Sequence, residues 1–163
     1  MEANDAMAIN HLGCYYREGL HGLPKDYTKA LELYHKAAEL GYAKAYCSIG
    51  YAHDYGEGVI VDKEKAIHYY EQAAMGGDEV ARYNLGNKEH RAGNMDRALK
   101  HYMIATRDGL AVSLDEIKEM YSDGDATKDD YMKALQLYQE YLVEIKSKQR
   151  DDAAAAREDY RYY

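Results

Sequence analysis

The 163-residue chain has no tryptophan, no phenylalanine, one proline and only two cysteines. Two cysteines cannot build a disulfide framework, and they rule out a four-cysteine zinc site. No apolar run reaches the ~18–20 residues that a membrane-spanning helix requires, so no membrane partner is expected. The opening MEANDAMAINHLG lacks the basic-then-apolar layout of a secretory signal. A reducing, soluble, cytoplasmic setting is the expectation. Basic charge is scarce as well: 21 Lys and Arg stand against 29 Asp and Glu, for a net charge of −8. Nucleic-acid binders carry a basic footprint, so no nucleic-acid partner is expected. More than half of the acidic surplus lies in 110–163.

Catalytic constellations are missing too. The seven histidines form no HExxH motif and no pair four apart on one helix. The glycines form no phosphate loop. The carboxylates spread over solvated helix faces, and Asp129-Asp130 and Asp151-Asp152 stand at proposed helix starts, where negative charge favours the dipole. No enzyme activity, metal or cofactor is expected.

What the chain does have is 19 tyrosines and a repeat. Tyrosine buries a ring while its hydroxyl must reach water or a partner, which suits thin layers in which most side chains lie near a surface. Ile49-Gly50 has counterparts at Leu12-Gly13 and Leu85-Gly86. Lys65-Ala66 has counterparts at Lys29-Ala30, Arg97-Ala98 and Lys133-Ala134. Ala74-x-x-Gly77 recurs as Ala38-x-x-Gly41 and Thr106-x-x-Gly109. Self-similarity with a period in the thirties marks a stacked-repeat architecture.

Each unit reads as a leading helix, a turn and a trailing helix. In the first, a leading helix over about 4–19 gives way to the loop LHGLP, which holds Pro24 and cannot be helical throughout. Asp26 reads as the N-cap of a trailing helix that turns Ala30, Leu31, Leu33, Tyr34, Ala37 and Ala38 inward and stops at Gly41. The second unit repeats this with helices at about 43–55 and to Met75, Asp62 as cap, and Gly56 and Gly58 in the turn above Val59. The recurring glycine at 13, 50 and 86 lets a partner helix sit against bare backbone. The third unit, with helices at about 80–91 and 95–107, has a shorter turn, Ala92-Gly93-Asn94, and Asn94 reads as its cap. In the fourth, Lys118 stands in the place of Gly50, and Thr127 with Asp130 forms a capping arrangement. The final stripe Leu135, Tyr138, Tyr141, Leu142, Ile145 meets no glycine, so that helix runs to about 148, with DDAAAAREDYRYY as a short extra helix over the end and a frayed tail. One repeat domain over 1–163 is expected, in units of about 3–41, 42–77, 78–109 and 110–163.

The pattern LG-x-x-Y-x-x-G-x-G-V…D-x-x-KA-x-x-(Y)Y-x-x-AA-x-x-G resembles the Sel1-like repeat, a relative of the tetratricopeptide repeat. The second unit matches almost throughout, with His53 where tyrosine is usual and Tyr69 where tryptophan is usual. The third has the shorter tetratricopeptide spacing, and the fourth matches mainly by register. The resemblance implies an all-α fold, a right-handed α-solenoid of about four helix-turn-helix repeats with an extended C-terminal capping helix. It also implies leading helices along a concave face, and work as an adaptor or scaffold.

Within that geometry the concave face carries Asn10, Cys14 and Arg17 from the first leading helix, then Lys44, Cys47, Tyr51 and Tyr55 from the second. The third adds Tyr83, Asn87, His90 and Arg91, and the fourth Asp115 and Glu119. Tyrosine and arginine are enriched among interface hot spots, so a protein or peptide partner is expected there. The lysine–asparagine–arginine clamp by which some tetratricopeptide proteins hold a peptide carboxylate is missing: Asn84 and Asn87 share one helix, Cys47 replaces its lysine and Glu116 its arginine. Cys14 and Cys47, on successive leading helices, read as two unlinked thiols, with a redox-sensitive pair as the alternative. Met1 sits almost on the first helix and leaves that layer uncapped. A homodimer through this N-terminal face, or a place within a longer array, is the alternative function.

Overall fold

The computed structural model describes residues 2–159, with side chains described for 5–152. The placement of Met1 and the expected fraying of the last three residues lie outside the described residues. Eight helices and no strand are present among the described residues: α1 (Glu2–Glu18), α2 (Tyr27–Glu39), α3 (Ala43–Tyr55), α4 (Lys63–Met75), α5 (Glu79–Arg91), α6 (Met95–Arg107), α7 (Ala111–Asp123) and α8 (Lys128–Asp159). Contacts gather them into two compact units, one ending at Asn87 and one beginning at Lys88, each considered below by itself.

Local chemistry sets the boundaries. Asp26 and Asp62 take the same extended conformation, φ −145° and ψ 98°, and each accepts from the amide three residues on, Lys29 and Lys65, at 2.9 Å. Those bonds satisfy amides that the first helical turn leaves free. Asp78 does the same for α5, accepting from the Ala81 amide at 2.6 Å. At the other end, Gly41 (φ +84°) and Gly56 (φ +76°) take the left-handed conformation that closes a helix. Before α8, the Thr127 hydroxyl accepts from the Asp130 amide at 3.2 Å and the Asp130 carboxylate accepts from the Thr127 amide at 3.0 Å. This is a capping box with Asp in the place of Glu.

In the first unit the core is built from small residues and single rings. Ala30, Tyr34, Ala37 and Ala38 of α2 close on Ala45 and Ile49 of α3. Ala66, Tyr70, Ala73 and Ala74 of α4 close on Ala81 and Leu85 of α5. Each ring lies on a glycine of the leading helix. A Cβ built on Gly13 would meet Tyr34 Cε1 at 2.6 Å, and one on Gly50 would meet Tyr70 Cδ1 at 2.8 Å. The glycines therefore serve close helix approach. Gly58 locks the turn in the same way: a Cβ there would stand 2.6 Å from the Tyr27 carbonyl oxygen at the start of α2. In the second unit α6 packs on α7 and α8, and α7 on α8, with Ala98, Tyr102, Ala105, Ile117 and Ala134 fully buried.

Two expectations are corrected. Asn94 stands at the start of α6 but makes no side-chain cap bond; its amide nitrogen donates to Glu89 at 2.7 Å instead. And α8 does not stop near 148 to restart as a separate helix. It runs unbroken to Asp159, because the segment has no glycine or proline and its alanines, lysines and arginines all favour helix.

Candidate interaction surface

The leading helices of the first unit hold a ladder of stacked groups. Tyr51 and Tyr55, one turn apart on α3, stack at 4.3 Å between ring centroids with 29° between planes. Arg17, in the last turn of α1, lays its guanidinium 4.2 Å from the Tyr51 centroid and donates from Nε to Glu57 Oε2 at 2.7 Å. Lys63, which opens α4, lies 5.7 Å from the Tyr55 centroid and donates to Asp54 Oδ1 at 2.8 Å. Cations over aromatic faces and stacked rings hold one another in register. Burial works against the Arg17 charge, but the Glu57 carboxylate outweighs it and raises the guanidinium above its ordinary value. Burial also raises the Tyr51 phenol, so both groups keep their neutral-pH charge states. Tyr55 remains 56% exposed at the outer end of the ladder. It presents a flat ring fixed in orientation before any partner arrives.

The other residues expected on this face divide by burial. Asn10 and Cys47 are buried at equivalent places in the helix seams. Ser48 Oγ donates to Asn10 Oδ1 at 3.5 Å, and Asn84 Nδ2 donates to Cys47 Sγ at 3.9 Å. Cys14 is half-buried and accepts from the Tyr34 hydroxyl at 3.7 Å. Lys44 is exposed and pairs with Glu79 at 3.4 Å. Tyr83 and Asn87 are half-buried on α5. In the second unit His90 is half-buried, while Arg91, Asp115 and Glu119 are exposed. Both cysteines are free, each with its own hydrogen-bond partner.

The groups that hold the ladder in place are not legible in the sequence. Glu57 lies between Gly56 and Gly58 in the turn, and its anchoring role has no local signature. Asp54 and Lys63 pair across that turn. Asp78 did carry a signal, an acidic residue just before a helical run. It is 3% exposed, and burial raises its carboxyl pKa against the opposing pull of the Ala81 amide.

His53 is also buried. Its ring stacks on Tyr69 at 5.5 Å and 13°, and its Nδ1 has no hydrogen-bond partner among the described residues. Burial lowers its pKa, with Lys65 adding to the effect. Among the described residues no group of three or more His, Cys, Asp or Glu is placed to hold a metal ion, and no helix is long and apolar enough to cross a membrane.

A family profile for the Sel1 repeat matches residues 6–42, 43–78 and 108–140. The short-turn third unit falls between the second and third matches. Among curated proteins, the chain is 38% identical over 88 residues to the Arabidopsis thaliana "ERAD-associated E3 ubiquitin-protein ligase component HRD3B", covering 52% of this chain and 13% of that protein. It is 27% identical over 128 residues to a putative sel1-like repeat-containing protein of Acanthamoeba polyphaga mimivirus, covering 77% and 23%. The chain thus spans less than a quarter of the length of either relative. Among solved structures, a Sel1 repeat protein from Oxalobacter formigenes superposes with a TM-score of 0.71 at 31% identity, over 83% of this chain and 57% of that one. A protective antigen of uropathogenic Escherichia coli with an SLR fold gives 0.69 at 29%, over 85% and 30%. Proteins of this kind generally mediate protein–protein interactions and are typically not enzymes. Capped helix pairs, rings seated on glycines and the profile match over three of the four units make this chain a member of the Sel1 repeat family.

Proposed function

We propose that this chain is a non-enzymatic scaffold or adaptor that binds a protein or peptide partner on the face of its leading helices. The observation that carries the reading is the Arg17–Tyr51–Tyr55–Lys63 ladder. Held rings lose little entropy on binding, and aromatic and arginine side chains supply most interface energy. Asn10 and Cys47 act behind this surface as seam residues. Lys44, Tyr51, Tyr55 and Arg17 are the first unit's contact residues in this reading; Arg91, Asp115 and Glu119 are the exposed candidates of the second unit, taken by itself. The net charge of −8 disfavours a nucleic-acid partner, and the two free thiols fit a reducing, cytoplasmic setting.

The test is affinity purification with mass spectrometry, followed by titration of the recovered partner against the purified chain. Tyr55→Ala and Arg91→Ala each weaken binding in this reading. Unchanged affinity in both variants places the partner on another surface.

A further inference from the structure

Four helices carry a small residue followed four positions later by Leu or Ile: Ala8 and Leu12 on α1, Ala45 and Ile49 on α3, Ala81 and Leu85 on α5, Ser113 and Ile117 on α7. Residues four apart share one helix face. In three of the four helices that face is covered. Ala45, Ile49, Ala81, Ser113 and Ile117 are 0% exposed, and Leu85 is 6% exposed. On α1 the pair is open: Ala8 is exposed, and Leu12 is 39% exposed with Met7 beside it, also at 39%.

Where the cover is defined, it has one chemistry. Ala45 and Ile49 lie against Tyr34, Ala37 and Ala38 of α2, and Ala81 and Leu85 lie against Tyr70, Ala73 and Ala74 of α4. The covering helix presents Tyr-x-x-Ala-Ala, one ring and two small residues that let the helix axes close. We infer that the Ala8–Leu12 face of α1 is a docking surface for a trailing helix of this Tyr-x-x-Ala-Ala type, supplied by a further repeat of the same kind beyond the residues of this chain. The interface continues the seam repeated inside the first unit, using residue types that α1 already carries.

A second copy of this chain does not supply that helix. Its runs beginning at Tyr34, Tyr70 and Tyr102 are buried within their own fold. In α8, Tyr138 keeps the tyrosine place, but Tyr141 and Leu142 replace the small pair. The Tyr141 ring already fills the space that a Cβ on Gly109 would take. Two large side chains there hold an approaching helix away. The α1 edge is open and the α8 edge is closed.

The test joins a copy of residues 43–77 directly to Asp5, in place of residues 1–4, and compares this extended chain with the unextended one, each with and without Leu12→Glu. The extension should raise Tm by about 5 °C or more. Leu12→Glu should move the unextended chain by no more than about 2 °C, since an exposed position tolerates charge, yet remove at least half of the gain. An extension that adds no helical circular dichroism, leaves Tm unchanged, or gives a gain indifferent to Leu12→Glu overturns the inference. Sedimentation of the unextended chain should report a monomer. A dimer dissolved by Leu12→Glu would overturn it too, and assign the face to a second copy.

Discussion

The ring of Tyr70 occupies the space where Gly50 would carry a side chain: a Cβ there would stand 2.8 Å from Cδ1 and 3.1 Å from the Ala66 carbonyl oxygen. Both are closer than a real Cβ is normally found to approach. Tyr70 is 1% exposed and cannot swing into solvent. Gly50→Ala must therefore push α3 and α4 apart. The helix-propensity gain of about 1 kcal/mol is outweighed by overpacking, for a net loss of about 1–3 kcal/mol. Urea unfolding should show a lower midpoint with an unchanged slope. Gly13→Ala, facing Tyr34, should behave alike.

Tyr55 separates binding from stability. Its ring is 56% exposed and its principal contact is Tyr51, so Tyr55→Ala should change stability by less than about 1 kcal/mol. Truncating a preset aromatic anchor in an interface costs about 2 kcal/mol, or roughly thirtyfold in Kd. Calorimetric titration of the partner against wild type and variant checks both halves when paired with thermal melts.

His53 makes the fold sensitive to mild acid. Burial, aided by Lys65, holds its folded pKa below the ordinary 6.5. The unfolded chain therefore takes up this proton first. Stability present above pH 6.5 is lost as pH falls through 6.5 towards the lower folded value. Replacing His53 with tyrosine, the usual residue of the repeat here, removes that proton. Urea midpoints between pH 7.5 and 5.5 should fall less for His53→Tyr than for wild type.

The capping box at α8 gives a separate acid signature. The Thr127 hydroxyl and amide hold the Asp130 carboxyl below its ordinary 3.8, so its contribution is present above that value and lost as pH falls below it. Thr127→Ala should cost about 1 kcal/mol at neutral pH. Asp130→Asn should lose the corresponding part of the acid dependence below pH 4, read by helical circular dichroism.

The two thiols should react at different rates. Cys47 is 8% exposed, and burial, with Asp78 beside it, raises its thiol pKa far above the ordinary range. The thiolate is the reactive form. Cys14 is half-buried. Aromatic disulfide reagent at pH 8 should titrate Cys14 in the native protein and reach Cys47 only on unfolding. Cys14→Ser leaves a native chain with almost no fast-reacting thiol.

Helix boundaries were legible because their signals are local. Asp26, Asp62 and the Thr127–Asp130 pair act within one turn of where they stand, and Gly41 and Gly56 mark helix ends by a conformation that other residues avoid. The third unit's short turn was legible by spacing alone. What sequence spacing does not carry is the rotation of one helix against the next. A few tens of degrees decide whether Cys47 looks outward or into the seam, and the same rotation buries Asn10. Nor does it carry contacts between a turn and a helix a whole repeat away. Glu57 meets Arg17 across 40 positions, and neither residue advertises the other. The error at Asn94 arose from a competing partner: Glu89 holds the side chain through its Nδ2 donor, and the Oδ1 acceptor that a cap would use makes no bond to α6.

The helices α2 to α7 are 13 residues each, and α8 is 32. At 1.5 Å per residue the first kind measures about 20 Å and the last about 48 Å. Roughly the second half of α8 therefore reaches past the width of its neighbours, and from Lys148 to Asp152 its side chains face solvent. Such a strut offers a graft point. A reporter or a second domain joined at its far end would stand about 2 nm beyond α6 and α7, and deuterium uptake along it should climb residue by residue towards the tip.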